Sequence, residues 1–139
     1  MKIIYWSGSG NTEAMANLIS EGIKVEEKEA ELINISIQDV DSIVNDEIIV
    51  LGCPSMGDEE LESDEFLPFL EKIEGDIKGK KIALFGSYGW GTGEWMEGFQ
   101  EKIKEMNGEI ILEPLIVNYA PEDDEADRCI EFGRKLGQL

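Results

Sequence analysis

Ser7-Gly8-Ser9-Gly10-Asn11-Thr12 stands between the apolar run Lys2-Ile3-Ile4-Tyr5-Trp6 and a helical pattern in which Met15, Leu18, Ile19 and Ile23 share one face. A strand, a small hydroxyl- and glycine-rich turn and then a helix make a grip for a phosphate. The glycines let backbone N–H groups approach an anion, the helix N-terminus adds partial positive charge, and hydroxyls and an amide donate further hydrogen bonds. The turn contains no Lys or Arg, and the chain sets 31 Asp plus Glu against 12 Lys plus Arg, a formal charge of -19. A phosphate bound here has to be held by neutral donors inside an acidic molecule.

The same strand-then-helix alternation continues along the chain. Lys2–Trp6, Glu31–Ile35, Glu47–Gly52, Lys80–Gly86 and Glu109–Asn118 read as strands. Ile48-Ile49-Val50-Leu51 and Ile82-Ala83-Leu84-Phe85 are continuously apolar, the pattern of strands covered on both faces. Helical stripes lie between them: Phe66, Phe69, Leu70 and Ile73; Trp95, Phe99, Ile103 and Met106; Ala126, Cys129, Ile130 and Gly133. Gln38–Val44 reads as a shorter helix. The pattern predicts one doubly wound α/β domain over residues 1–139, a parallel sheet with helices on both faces. Pro114 cannot donate to a ladder, so the fifth strand belongs at or near an edge. Ser7–Thr12, Cys53–Glu59, Ser87–Gly93 and Asn118–Asp123 each follow a strand, and such sheets bind ligands at that edge, where strand order reverses.

Composition narrows the function. The acidity opposes nucleic acid and anionic membranes and favours basic protein partners. No apolar run approaches a membrane span of about 18–20 residues, and the N-terminus shows no signal-peptide pattern. Two cysteines, Cys53 and Cys129, and no histidine argue against a metal centre and against hydrolytic triads. Both cysteines read as small buried hydrophobes. A cytoplasmic, monomeric protein is expected.

The first turn is not a P-loop, because the GxxxxGK[ST] lysine is missing, and it lacks the third glycine of the dinucleotide fingerprint, where Glu13 stands. A mononucleotide phosphate fits better. After the third strand comes Cys53-Pro54-Ser55-Met56-Gly57-Asp58-Glu59, and after the fourth Ser87-Tyr88-Gly89-Trp90-Gly91, with Trp90 outside any helical stripe and suited to stacking on a flat ring. Trp6 reads as a strand-end core residue in preference to a neighbour of the phosphate loop.

Ser7–Thr12, Met56-Gly57-Asp58-Glu59 and Leu84-Phe85-Gly86-Ser87-Tyr88-Gly89-Trp90-Gly91, in that order over the whole chain, resemble the flavodoxins, specifically the short-chain clostridial type. The resemblance implies a five-stranded parallel sheet of order 2-1-3-4-5 with FMN at its carboxyl edge. It implies that Ser7, Ser9, Asn11 and Thr12, with the amides of the loop that includes Gly8 and Gly10, bind the phosphate. Trp90 and Met56 would cover the two faces of the isoalloxazine, and Glu59 would accept from the flavin N3–H. Ser55, Ser87 and Gly89 would line the ribityl chain and ring edge, Tyr88 would be a further cofactor-binding residue, and Asn118 and Tyr119 would approach the pyrimidine side. Pro54 has no N–H, so any amide contact made there in relatives is lost.

The implied activity is low-potential one-electron transfer, mainly between semiquinone and hydroquinone, without catalysis. Two levers would set the potentials. The Gly57–Asp58 peptide can turn its carbonyl toward the protonated flavin N5, since glycine tolerates positive φ. The acidic runs Asp58–Glu65 and Glu122–Glu125 oppose the reduced anion; one carboxylate ~10 Å away at an effective dielectric near 20 contributes roughly 1.7 kcal/mol, about 70 mV. Two other classes compete. A phosphoacceptor receiver domain needs an Asp at the tip of the third strand and a Lys after the fifth, where this chain has Gly52-Cys53-Pro54 and Asn118-Tyr119. A small FMN-dependent reductase of quinones or nitro compounds is the alternative, weakened by the want of a second cofactor site or acid–base pair.

Overall fold

Runs that are apolar on both faces become the inner strands of a parallel sheet. The computed structural model describes residues 1–139. Its elements are β1 Lys2–Tyr5, α1 Asn11–Val25, β2 Glu31–Asn34, β3 Ile48–Gly52, α2 Phe66–Ile77, β4 Lys81–Tyr88, α3 Glu94–Glu105, β5 Glu109–Ile110, β6 Leu115–Asn118 and α4 Asp124–Gly137. All ladders are parallel, in the order β2-β1-β3-β4, with β5 and β6 following one another along the outer edge of β4. The doubly wound 2-1-3-4-5 expectation holds, with its fifth position shared between two short strands.

That division corrects the single strand expected over Glu109–Asn118. The register against β4 slips by two residues between Ile82↔Ile110 and Phe85↔Leu115. The slip falls at Leu112-Glu113-Pro114, where proline offers no N–H and biases the residue before it. Only an edge tolerates such a break. Because β6 pairs with Ser87 and Tyr88, β4 runs two residues beyond the Gly86 end expected for it.

Gln38–Val44 is not helical. It runs as turn and irregular chain, pinned by the buried side chains of Val40 and Ile43. Asp39, Asp41 and Ser42 compete with a helix for backbone hydrogen bonds, and the Ser42 hydroxyl accepts from Val44 N at 3.1 Å.

Each face of the sheet has its own core. Ile4, Leu51 and Leu84 meet Phe66, Leu70 and Ile73 of α2 and Trp95, Phe99 and Ile103 of α3. On the other face Ile3, Val50 and Ala83 meet Met15, Ile19 and Ile23 of α1 and Cys129, Phe132 and Leu136 of α4. In α4 the buried stripe is Cys129, Phe132, Gly133 and Leu136, while Ala126 and Ile130 lie half-buried beside it. The α1 and α4 backbones touch: a Cβ at Gly133 would lie 2.0 Å from the Ile19 carbonyl oxygen. This packing fixes the start of α1 relative to the sheet and therefore the site above it.

Candidate functional site

Strand order reverses between β1 and β3, whose ends Tyr5 and Gly52 are paired. The loops leaving β1, β3, β4 and β6 converge there on an open cavity of about 570 Å³. Gly8, Ser9 and Asn11 form one wall, Ser55 and Met56 a second, and Ser87, Tyr88, Gly89 and Tyr119 the third. Of the residues expected at the site these line the cavity itself, while Ser7, Gly10, Thr12, Gly57, Asp58, Glu59, Trp90 and Asn118 do not. Pro54, expected only as a lost contact, is a lining residue.

In the first loop no backbone N–H from Ser7 to Thr12 donates to a protein acceptor. Gly10 forms the N-cap of α1 with φ 96° and provides no side-chain cap, so the first-turn N–H groups face outward. Glu13 N–H is satisfied by Ser7 Oγ at 3.2 Å, which leaves the Ser7 hydroxyl proton free to donate. Thr12 is buried, and its Oγ1 accepts from Ser87 N at 3.4 Å. Thr12 thus ties the first loop to β4 as well as standing at the helix start.

Trp6 packs against the core of the α2–α3 face without being fully enclosed in it. It is half-buried, donates from Nε1 to Glu65 Oε1 at 2.9 Å, and lies under the loop; a Cβ at Gly8 would come within 2.9 Å of its Cη2. The indole is the floor on which the loop rests.

The second loop is closed on itself. Met56 and Glu60 exchange backbone hydrogen bonds of 2.8 and 2.9 Å, leaving Gly57 and Asp58 exposed at the tip. Gly57 has φ 51° and open space around the position of a Cβ. Glu59 Oε1 accepts from Thr92, Gly93 and Glu94 N at 3.0, 3.0 and 3.1 Å. One carboxylate oxygen therefore caps α3, whose own N-cap, Gly93, has no side chain to do so. Oε2 is not engaged in these bonds.

The third wall is held by exchanges between β4 and the end of β6. Ser87 Oγ donates to Tyr119 O at 2.7 Å, and Asn118 Nδ2 donates to Tyr88 O and Gly89 O at 3.2 and 3.4 Å. Tyr88 packs its ring on buried Trp95 at 5.5 Å. Three large apolar side chains remain exposed around the cavity: Met56 at 39%, Tyr119 at 61% and Trp90 at 64%. Exposed aromatic and thioether groups beside a cavity with outward N–H donors suit a ligand with an anionic tail and a flat apolar ring.

The acids divide by role. Asp58, Glu60, Asp64 and Glu65 are exposed. Glu62 is buried and belongs to a different category from its neighbours. Its two oxygens accept from Asp64 N, Glu65 N and Phe66 N at 2.6–3.2 Å, building the start of α2. Burial pushes the Cys53 thiol up to about 12 and the Cys129 thiol up to about 11, so neither is a thiolate nucleophile at neutral pH. No helix is long and apolar enough to cross a membrane.

Comparison with known proteins agrees with this geometry. The family model described as Flavodoxin matches residues 3–133. The chain is 50% identical over 139 residues to a flavodoxin of Clostridium beijerinckii, covering 100% of both chains. It is 43% identical over 133 residues to a flavodoxin of Megasphaera elsdenii, covering 96% of this chain and 95% of the relative. Among solved structures, two-electron reduced Megasphaera elsdenii flavodoxin superposes with a TM-score of 0.89 at 41% identity, covering 99% of this chain and 98% of the other. The chain belongs to the flavodoxin family of FMN-binding electron carriers.

Proposed function

We propose that residues 1–139 form one FMN-binding unit in which the outward N–H groups of Ser7–Thr12, with the hydroxyls of Ser7 and Ser9 and the Asn11 amide, hold the phosphate. The observation that carries this reading is the set of backbone donors without protein acceptors in a molecule of charge -19. The loop contains no Lys or Arg, so the dianion is held by neutral donors, and these already face outward, so nothing has to be broken to expose them.

FMN supplies one-electron redox chemistry, and the surrounding residues set its terms. Met56 and Trp90 cover the ring, and Glu59 Oε2 is an acceptor for a ring N–H while Oε1 remains on α3. Ser55, Ser87, Tyr88 and Gly89 line the chain between ring and phosphate, with Asn118 and Tyr119 at the far rim. The Ser87 hydroxyl proton is engaged by Tyr119 O, so Ser87 serves the ligand as an acceptor. Gly57 lies at a φ that leaves the Gly57–Asp58 carbonyl free to turn toward the ring. Partners are redox proteins; the exposed acids at the same edge favour basic ones, with association slowing as salt rises. The cytoplasm is the compartment we assign.

Stepwise dithionite reduction of the purified protein, followed in the visible spectrum, tests the reading. A yellow protein whose reduction separates into two one-electron steps supports it. Folded protein that stays colourless in excess FMN, or that turns over NADH and a quinone without a partner protein, overturns it.

A further inference from the structure

Glu13 is an acid in the first turn of the helix that receives the phosphate, where a second negative charge opposes binding. Its charge suits the helix dipole but not the ligand, and its carboxylate is committed elsewhere. Glu13 Oε2 accepts from the Tyr5 hydroxyl at 2.9 Å and from Asn34 Nδ2 at 3.2 Å. Tyr5 ends β1 and Asn34 ends β2, so one carboxylate oxygen bonds α1 to the tips of two strands. Asn34 is itself oriented by Ser36 N, which donates to its Oδ1 at 3.0 Å.

The linkage continues into the loop. Glu13 N donates to Ser7 Oγ, so the residue that reaches the strands also grips the loop's first hydroxyl. On the other side, Glu65 Oε1 accepts from Ser36 Oγ at 3.1 Å and from Trp6 Nε1 at 2.9 Å, steadying the indole beneath Gly8. Tyr5 is buried, and desolvation, with its hydrogen bond and proximity to Glu13, raises its phenol to about 12. The phenol therefore remains a donor throughout the working pH range.

We infer that Tyr5, Glu13 and Asn34 are positioning residues that fix the first turn of α1 against β1 and β2, and so set how the Ser7–Thr12 N–H groups meet the FMN phosphate. The inference rests on the proposed phosphate role of that loop. It assigns Glu13 a function through hydrogen bonds accepted, at the cost of some repulsion of the ligand. Riboflavin, which lacks the phosphate, is blind to this arrangement.

Apoprotein affinities for FMN and riboflavin, measured by flavin fluorescence for the parent, Tyr5→Phe, Glu13→Ala, the double variant and Glu13→Gln, provide the test. Tyr5→Phe and Glu13→Ala are each expected to weaken FMN binding by about tenfold while riboflavin binding moves less than about twofold. The double variant should match Glu13→Ala, since both act through one oxygen. Glu13→Gln keeps an acceptor and should recover most of the loss. Variants that lose both ligands equally, or neither, overturn the positioning role. If Glu13→Ala does not fold by circular dichroism, Tyr5→Phe, which removes only a hydroxyl, decides. A parent protein with equal affinity for the two flavins would instead refute the phosphate role of the loop and leave the triad structural.

Discussion

The loop after β1 and the loop after β3 face each other across the cavity and use their hydrogen bonds in opposite ways. Ser7–Thr12 rests on Trp6 and is braced through Glu13, yet none of its N–H groups is engaged by the protein. The 56–60 loop pairs Met56 with Glu60 and fastens Glu59 to the start of α3, leaving the Gly57–Asp58 peptide free at its tip. A braced loop with outward donors is built to bind one charge state tightly. A closed loop whose exposed tip holds Gly57 at positive φ suits, in the proposed reading, a response to the ligand's state. In the proposed reading, affinity and redox tuning fall on separate segments.

The largest break in this contrast comes at Glu62, which anchors the base of the second loop to α2. Glu62→Ala leaves the Asp64, Glu65 and Phe66 N–H groups without their carboxylate, and chemical denaturation of the apoprotein should show a loss of about 2–4 kcal/mol. If Glu62 is only another surface acid, the variant will be as stable as the parent. Next in size is Gly57→Val. A β-branched residue at φ 51° is strained, and potentiometric titration should show the first one-electron potential falling by about 40–90 mV, the equivalent of about 1–2 kcal/mol. Unchanged potentials would mean that the tip peptide has no part in tuning.

Smaller still is the effect of single exposed charges. Asp58→Asn should raise the second one-electron potential by at most about 70 mV, with the difference shrinking as salt increases. A fall in potential would contradict the electrostatic assignment. The far edge of the sheet provides the control. Burial opposes ionisation of Asp46, but hydrogen bonds from Lys2 and the N-terminal ammonium outweigh it and hold its carboxyl below the usual range. A depressed folded value means that the ion group stabilises the fold above the unfolded carboxylate pKa and ceases to do so as pH falls through the folded one. Asp46→Asn should therefore cost stability at neutral pH, lose its difference from the parent in acid, and leave FMN affinity untouched.

The sheet was legible because Ile48–Leu51 and Ile82–Phe85 are apolar without alternation, a pattern with few other solutions. Pro114 announced an edge but not the two-residue slip, since one proline does not fix where pairing resumes. Gln38–Val44 misled because Val40 and Ile43 bury as helical spacing suggests, while the polar residues between them take the backbone out of a helix. The glycine- and serine-rich loop at the start of α1 was legible as a motif; the side chains that brace it were not. Glu13 and Glu62 are two among 31 acids, and nothing along the chain separates a carboxylate that meets Tyr5 and Asn34, or one that closes a helix start, from one in water. Trp6 read as core and does pack against one, while the close approach of Gly8 over its indole is visible only once the loop is folded.

The ionic-strength dependence of the FMN dissociation constant, measured on the apoprotein, tests the neutral grip most directly. Donors without charge inside an acidic molecule predict binding that holds or tightens as salt screens the repulsion between carboxylates and phosphate. FMN affinity that weakens steeply with added salt, as a phosphate held by cations would, contradicts it.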